Sequence, residues 1–205
     1  MAIIDDISDD LDWRETEIAS MRLLLSKRDL STKQMQVLLR AAWALLYAHY
    51  EGFVKYCLTL FYAEISSRQI FCETLPISTQ IFALTNVVKK IRAMSVAGAL
   101  MELKSFKAKH LDSFASFPEV DTASNLWPEK LIELFESADL KTRVIEENRM
   151  KLSTLVARRN QIAHGEKNMI AELDYYRSYE EVVYEIMYDL ALQIDGRLSA
   201  SPYLE

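Results

Sequence analysis

Four glycines and four prolines are spread over 205 residues, and that scarcity limits what the chain can fold into. Gly and Pro supply the backbone conformations of tight reversals. A chain this poor in them, with half of its residues hydrophobic, favours long helices joined by few, short connections. The length suits one domain with room for a sizeable core. The expectation is an all-α, single-domain helical bundle over residues 1–205.

Periodicity places the helices. Ser8 is positioned to cap a first helix reaching about Lys27, with Leu11, Ile18, Met21 and Leu25 on its buried stripe. Ser31 or Thr32 opens a second that continues to about Phe71 and is apolar nearly all round, as the central helix of a bundle is. Arg40, His49, Glu51, Lys55 and Glu64 interrupt its most apolar part. Its uncharged runs fall well short of the roughly 20 residues that span a bilayer, so it reads as a buried helix and no membrane partner is expected. Ser78 or Thr79 caps a third helix to about Met94, and helix resumes over 95–108 after a break near Ser95. From about 109 to 125 the period is lost, with Phe114, Phe117 and Pro118 among Ser, Asp and Thr, so a long loop is expected there. Trp127-Pro128-Glu129 opens a short helix ending near Ala138. Residues 142–163 form the next, and a last one runs from Asp174 to Leu198. Its tyrosines, Tyr175, Tyr176, Tyr179, Tyr184 and Tyr188, read as packing residues.

Charge narrows the partners. A net charge of −6 argues against a chain that coats itself in nucleic acid. The distribution is uneven: residues 1–17 hold seven acids and one base, whereas 89–110 hold six bases against Glu102 and 141–167 hold seven against three acids. Those two basic segments are either solvated helix faces or a local groove that attracts phosphate. Cys57 and Cys72 form no zinc or redox pattern, and Cys57, within an apolar helix, reads as a reduced core thiol of a cytoplasmic protein. The acidic start is no signal sequence. With His49, His110 and His164 the only histidines and no convincing carboxylate cluster, neither a metal site nor a cofactor is expected.

The chemistry concentrates in residues 158–165, Arg-Arg-Asn-Gln-Ile-Ala-His-Gly. On a wheel of 100° per residue with Leu152 at zero, Ile145, Leu155, Val156, Ile162 and Ala163 fall within about 80° and make one apolar arc. Arg158 lands near 240°, outside it, and Arg159 near 340°, inside it. A guanidinium keeps its charge, and burying it unpaired costs several kcal/mol or more. Arg159 therefore has to face a carboxylate, a wet cleft, a subunit interface or a bound anion. His164 supplies a side chain suited to proton transfer near neutrality, and Gly165 is placed to end the helix.

Arg159-Asn160-Gln161-Ile162-Ala163-His164 resembles the R-N-x-x-x-H signature of HEPN domains, all-helical proteins many of which are RNases. The helix holding Trp43-Ala-Leu-Leu-Tyr-Ala-His-Tyr-Glu-Gly-Phe-Val54 resembles its counterpart in the MAE-like branch of prokaryotic HEPN nucleases. The resemblance implies that most of the chain is one HEPN domain. It also implies a metal-independent endoribonuclease, homodimeric through the motif helix, in a toxin–antitoxin or phage-defence setting with a cognate antitoxin or regulator. Arg159 and His164 lie about 140° apart on an ideal helix, so either the helix ends at His164 and frees the ring, or two protomers compose the site. RNA brings its own 2′-OH nucleophile. His164 would move protons, Arg159 would hold phosphate oxygens, and Asn160 would orient His164 or bind phosphate.

One departure stands out: HEPN toxins controlled by adenylylation carry Tyr two residues after the motif His, and here that position is Glu166, so that control is not expected. Glu51 pairs either with Lys55, four residues on, or with Arg159 as an orienting residue; His49 reads as a satisfied core histidine. A catalytically silent HEPN module binding RNA, a nucleotide or a protein partner is the other reading.

Overall fold

The computed structural model describes residues 2–167 and 172–204, which form helices and no strand; the one β-type contact is an isolated bridge between Phe71 and Phe114. The elements are α1 (Ala2–Leu25), α2 (Thr32–Ser67), α3 (Ile77–Arg92), α4 (Val96–Lys104), α5 (Pro128–Ser137), α6 (Arg143–Glu147), α7 (Arg149–Ala163) and α8 (Leu173–Leu198). An all-α bundle built on a long apolar helix is what forms.

α2 is that helix. Ser31 accepts from the Gln34 N–H while Gln34 Oε1 accepts from the Ser31 N–H, a capping box that satisfies end donors reciprocally. Beyond this start, residues from Leu39 to Ile65 bury side chains toward α1, α7 and α8 alike. The helix stops at Ser67, short of the expected Phe71. There Gln69 takes a positive φ, and the Arg68 guanidinium turns away to donate to the Leu198 and Tyr203 carbonyls. α1 begins at Ala2 rather than near Ser8, and it lays Ile3, Ile7, Leu11, Ile18 and Leu25 on α2 and α8. Asp5, in its first turn, sits at the positive end of the helix dipole.

The other departures have local causes. Neither Ser78 nor Thr79 caps α3: the chain enters from Pro76, and Thr79 is a buried core position. Ser95 does break the next stretch, accepting from the Gly98 N–H to cap α4. The helix expected over 142–163 is two, because the backbone leaves helical geometry at Asn148, whose side-chain amide donates to the Val144 carbonyl and to Glu185. Residues 112–127 form the long loop. It is tied at one end by Cys72 N–H to the Ser113 carbonyl and by Ala115 N–H to the Ile70 carbonyl. Cys57 and Cys72 are both buried free thiols.

On the far face of α2 from α7, a charged cluster is sealed against α1. The buried Arg14 donates from Nε to Asp10 at 2.6 Å and lies 3.4 Å from His49 Nδ1. Gly52 permits this approach, since a Cβ there would sit 3.0 Å from Arg14 Nη1. His49 Nε2 is 2.9 Å from Glu17 Oε2 but out of line for a hydrogen bond, and Trp13 packs edge-on to the ring. Burial first, then the Arg14 charge, hold the His49 pKa below the ordinary histidine value. His49 is thus buried and enclosed by charged groups. The tyrosines of α8 divide: Tyr176 and Tyr179 are buried with Trp43, whereas Tyr188 is exposed.

Candidate functional site

α7 forms because Leu152, Leu155 and Val156 recur on one face and are buried against α2 and α8. That packing fixes the rotation of the helix and so the direction of Arg159. Its guanidinium carbon lies 4.1 Å from the centroid of the Tyr47 ring of α2, a cation–π contact. Its Nη2 donates to the Ser124 carbonyl at 3.1 Å. Its Nε is buried and makes no hydrogen bond. Within the chain, an aromatic face and one carbonyl therefore meet the charge.

The expected Glu51–Arg159 pair is not formed. Among the described residues no carboxylate lies within 4.0 Å of the Arg159 nitrogens, and Lys55 reaches Glu119 at 3.0 Å rather than Glu51. Glu51 still acts at a distance, adding to the rise in the Tyr47 hydroxyl pKa that burial chiefly causes. Arg158 donates to Gln161.

The helix ends as Gly165 requires. Glu166 N–H donates to the Gln161 carbonyl and Gly165 N–H to the Ile162 carbonyl, with Gly165 at φ +76°, a Schellman turn. His164 is the last residue before it and is exposed, its N–H bonded to the Asn160 carbonyl at 2.9 Å. Asn160 is half-buried one turn earlier. The last carbonyls gain a partner from another helix: Arg40 of α2 donates to the Glu166 carbonyl and reaches the Ile162 carbonyl at 3.5 Å. So α7 carries Arg159 held against α2 and, at its end, an imidazole open to solvent.

Tyr47, Ser124 and Arg40 were missed from the sequence. For two of them a signal existed: Arg40, Tyr47 and Glu51 recur at spacings of seven and four, a polar stripe on one side of an otherwise apolar helix. Ser124 belongs to a loop that no periodicity orders. The two basic segments lie on different elements: α3 packs on α5 and α4, while α7 packs on α2, α8, α5 and α6. Lys107 is taken up by Glu73 and Asp112, and Lys109 and His110 by Glu102. Among the described residues no three His, Cys, Asp or Glu side chains are grouped to hold a metal ion. No described helix is long and apolar enough to cross a membrane.

Compared with family models, residues 3–203 match the MAE_28990-like HEPN family. The chain belongs to that family. HEPN domains are commonly RNases, so membership points to a nuclease or RNA-binding function. No curated protein and no solved structure matches the chain.

Proposed function

We propose that this HEPN domain is a metal-independent endoribonuclease, homodimeric, working in the cytoplasm as a toxin of a toxin–antitoxin or phage-defence system. The observation that carries the reading is the layout of α7: Arg159 is held with donors to spare five residues before an exposed His164 on a fixed turn. The HEPN family supplies the reaction class.

In this mechanism one His164 removes the 2′-OH proton of the RNA. The 2′-oxygen attacks the adjacent phosphorus, and the bond from phosphorus to the 5′-oxygen breaks. A second imidazole, the partner subunit's His164, protonates the leaving oxygen. The products are a 2′,3′-cyclic phosphate and a 5′-OH. Arg159 presents its Nη1 to the phosphate oxygens as charge grows on them. Asn160, one helical turn from His164, orients the ring or donates to the phosphate. The dimer answers the roughly 140° offset between Arg159 and His164, since two motif helices about a twofold axis bring one helix's Arg159 to the other's His164. The biological setting and a cognate antitoxin rest on family resemblance.

The test is cleavage of RNA in excess EDTA, with the same sequence as DNA and as 2′-O-methyl RNA. The first should be cut and the other two left intact. Arg159→Ala and His164→Ala should each abolish cleavage, and Arg158→Ala should be milder. Cutting of DNA, strict magnesium dependence, or an active His164→Ala variant would overturn the assignment. RNA bound but uncut by the wild type would leave the silent binding module as the better reading.

A further inference from the structure

The Leu126 peptide is gripped from both sides by α2. Its N–H donates to the Tyr47 hydroxyl at 2.8 Å, and its carbonyl accepts from the Tyr50 hydroxyl at 3.1 Å. Tyr47, Tyr50 and Leu126 are all buried, and the two rings meet edge to face with centroids 6.0 Å apart. Two residues before Leu126 stands Ser124, whose carbonyl accepts from Arg159. The turn that presents this carbonyl is one the chain does not adopt unaided: Ala123 and Ser124 both have positive φ, +55° and +62°. That region is unfavourable for residues bearing a Cβ and persists where the surroundings impose it. Asp121 accepts from the Ala123 N–H at 2.8 Å and braces the turn from its other end.

Tyr47 thus acts twice on the same guanidinium. Its ring face lies under Arg159, and its hydroxyl anchors the segment that supplies the Ser124 carbonyl. With Nη2 committed to Ser124, the fork is fixed in direction while Nη1, which makes no hydrogen bond within the described residues, stays available. We propose that Tyr47 and Tyr50 are positioning residues for Arg159, acting through the Ser124–Leu126 turn so that the guanidinium meets a phosphate in one orientation. The proposal rests on the reading of Arg159 as the side chain that holds phosphate. An arginine free to swing spends part of its binding on being ordered, whereas one already oriented delivers it to the reacting phosphate.

Two measurements on the full chain test it. The first needs no activity: the Arg159 Nε–Hε signal is read by NMR after ¹⁵N-arginine labelling and assigned by its loss in Arg159→Lys. A buried N–H over a tyrosine face should give a ring-shifted, slowly exchanging signal. Tyr50→Phe and Tyr47→Phe should shift it and speed its exchange while the fold stays intact, and Tyr47→Leu should remove the ring shift. The second is cleavage by the same variants. The rate constant should fall about ten- to a hundredfold in Tyr47→Leu, as expected for a misplaced group, and less in the Phe variants. KM should change little, and the pH profile should keep its shape because His164 is untouched. An Arg159 signal unchanged in Tyr50→Phe and Tyr47→Leu, or a rate loss no larger than the loss of folded protein, overturns the proposal. A wild type inactive on RNA would sink the RNase reading alone, since the Arg159 signal judges the positioning by itself.

Discussion

His49 and Tyr47 lie two residues apart on α2 and so point about 200° apart, which gives a titratable group to one face and an aromatic support to the other. For His49 the consequence is a pH-dependent stability. Its surroundings of Arg14, Asp10, Glu17 and Trp13 leave its pKa lowered, with burial the largest cause. As pH falls below the ordinary histidine value of about 6.5, the unfolded chain takes the proton before the folded one does. The unfolded state then binds more protons, so stability drops with pH from about 6.5 down through the folded pKa. Above 6.5 the residue contributes no pH dependence. Melting temperatures at pH 7.5 and 5.5 should therefore fall further for the wild type than for His49→Gln; equal falls would contradict the argument. Comparison with the variant is needed because Glu180, whose carboxyl is pushed up by burial despite its 2.7 Å bond to Arg22, shifts stability in the opposite sense. That His49 would be buried was legible in the sequence, since it interrupts an apolar helix. Its partners were not, because Arg14 lies 35 residues away and no local spacing links them.

Among the elements, α7 was the most readable. Three buried residues at helical spacing set its rotation, so the wheel placed Arg159 on the inward side correctly, and His164-Gly165 marked its end. Its beginning was not readable, because Asn148 breaks the helix through a bond to α8 that only the assembled bundle provides. The same reason hid the neighbours of Arg159: Tyr47 and Ser124 lie 112 and 35 residues away in sequence. The end of α7 carries its own prediction. Gly165 has φ +76° with nothing within 4 Å of a Cβ built there, so Gly165→Ala meets no clash and pays only for the left-handed backbone. The cost should be about 1–2 kcal/mol, read as a lower urea midpoint with unchanged slope. Gly165→Asn should lose less, since asparagine visits this conformation more readily. An Ala variant as stable as the wild type would mean that the Schellman turn does not hold α7 in solution.

For the whole molecule, the expectation of a helical bundle followed from the shortage of turn residues, and the central place of α2 followed from its all-round apolarity. How the helices pair was not written in either feature. If the site is shared between protomers, sedimentation should give about twice 23.7 kDa, and excess His164→Ala chain should depress the cleavage of the wild type beyond simple dilution, because a mixed dimer holds a single imidazole. A monomer with full activity would exclude a composite site. The two thiols offer a separate view of the same bundle. Cys57 is fully buried on α2, whereas Cys72 lies beside the backbone clip that ties Phe71 to Phe114. An alkylating reagent added to the native protein can reach Cys57 only when the bundle comes apart, but Cys72 whenever that clip opens. The labelling rates of the two cysteines, resolved by peptide mass, thus act as two clocks in one chain, the slower timing global unfolding and the faster the breathing of a single joint.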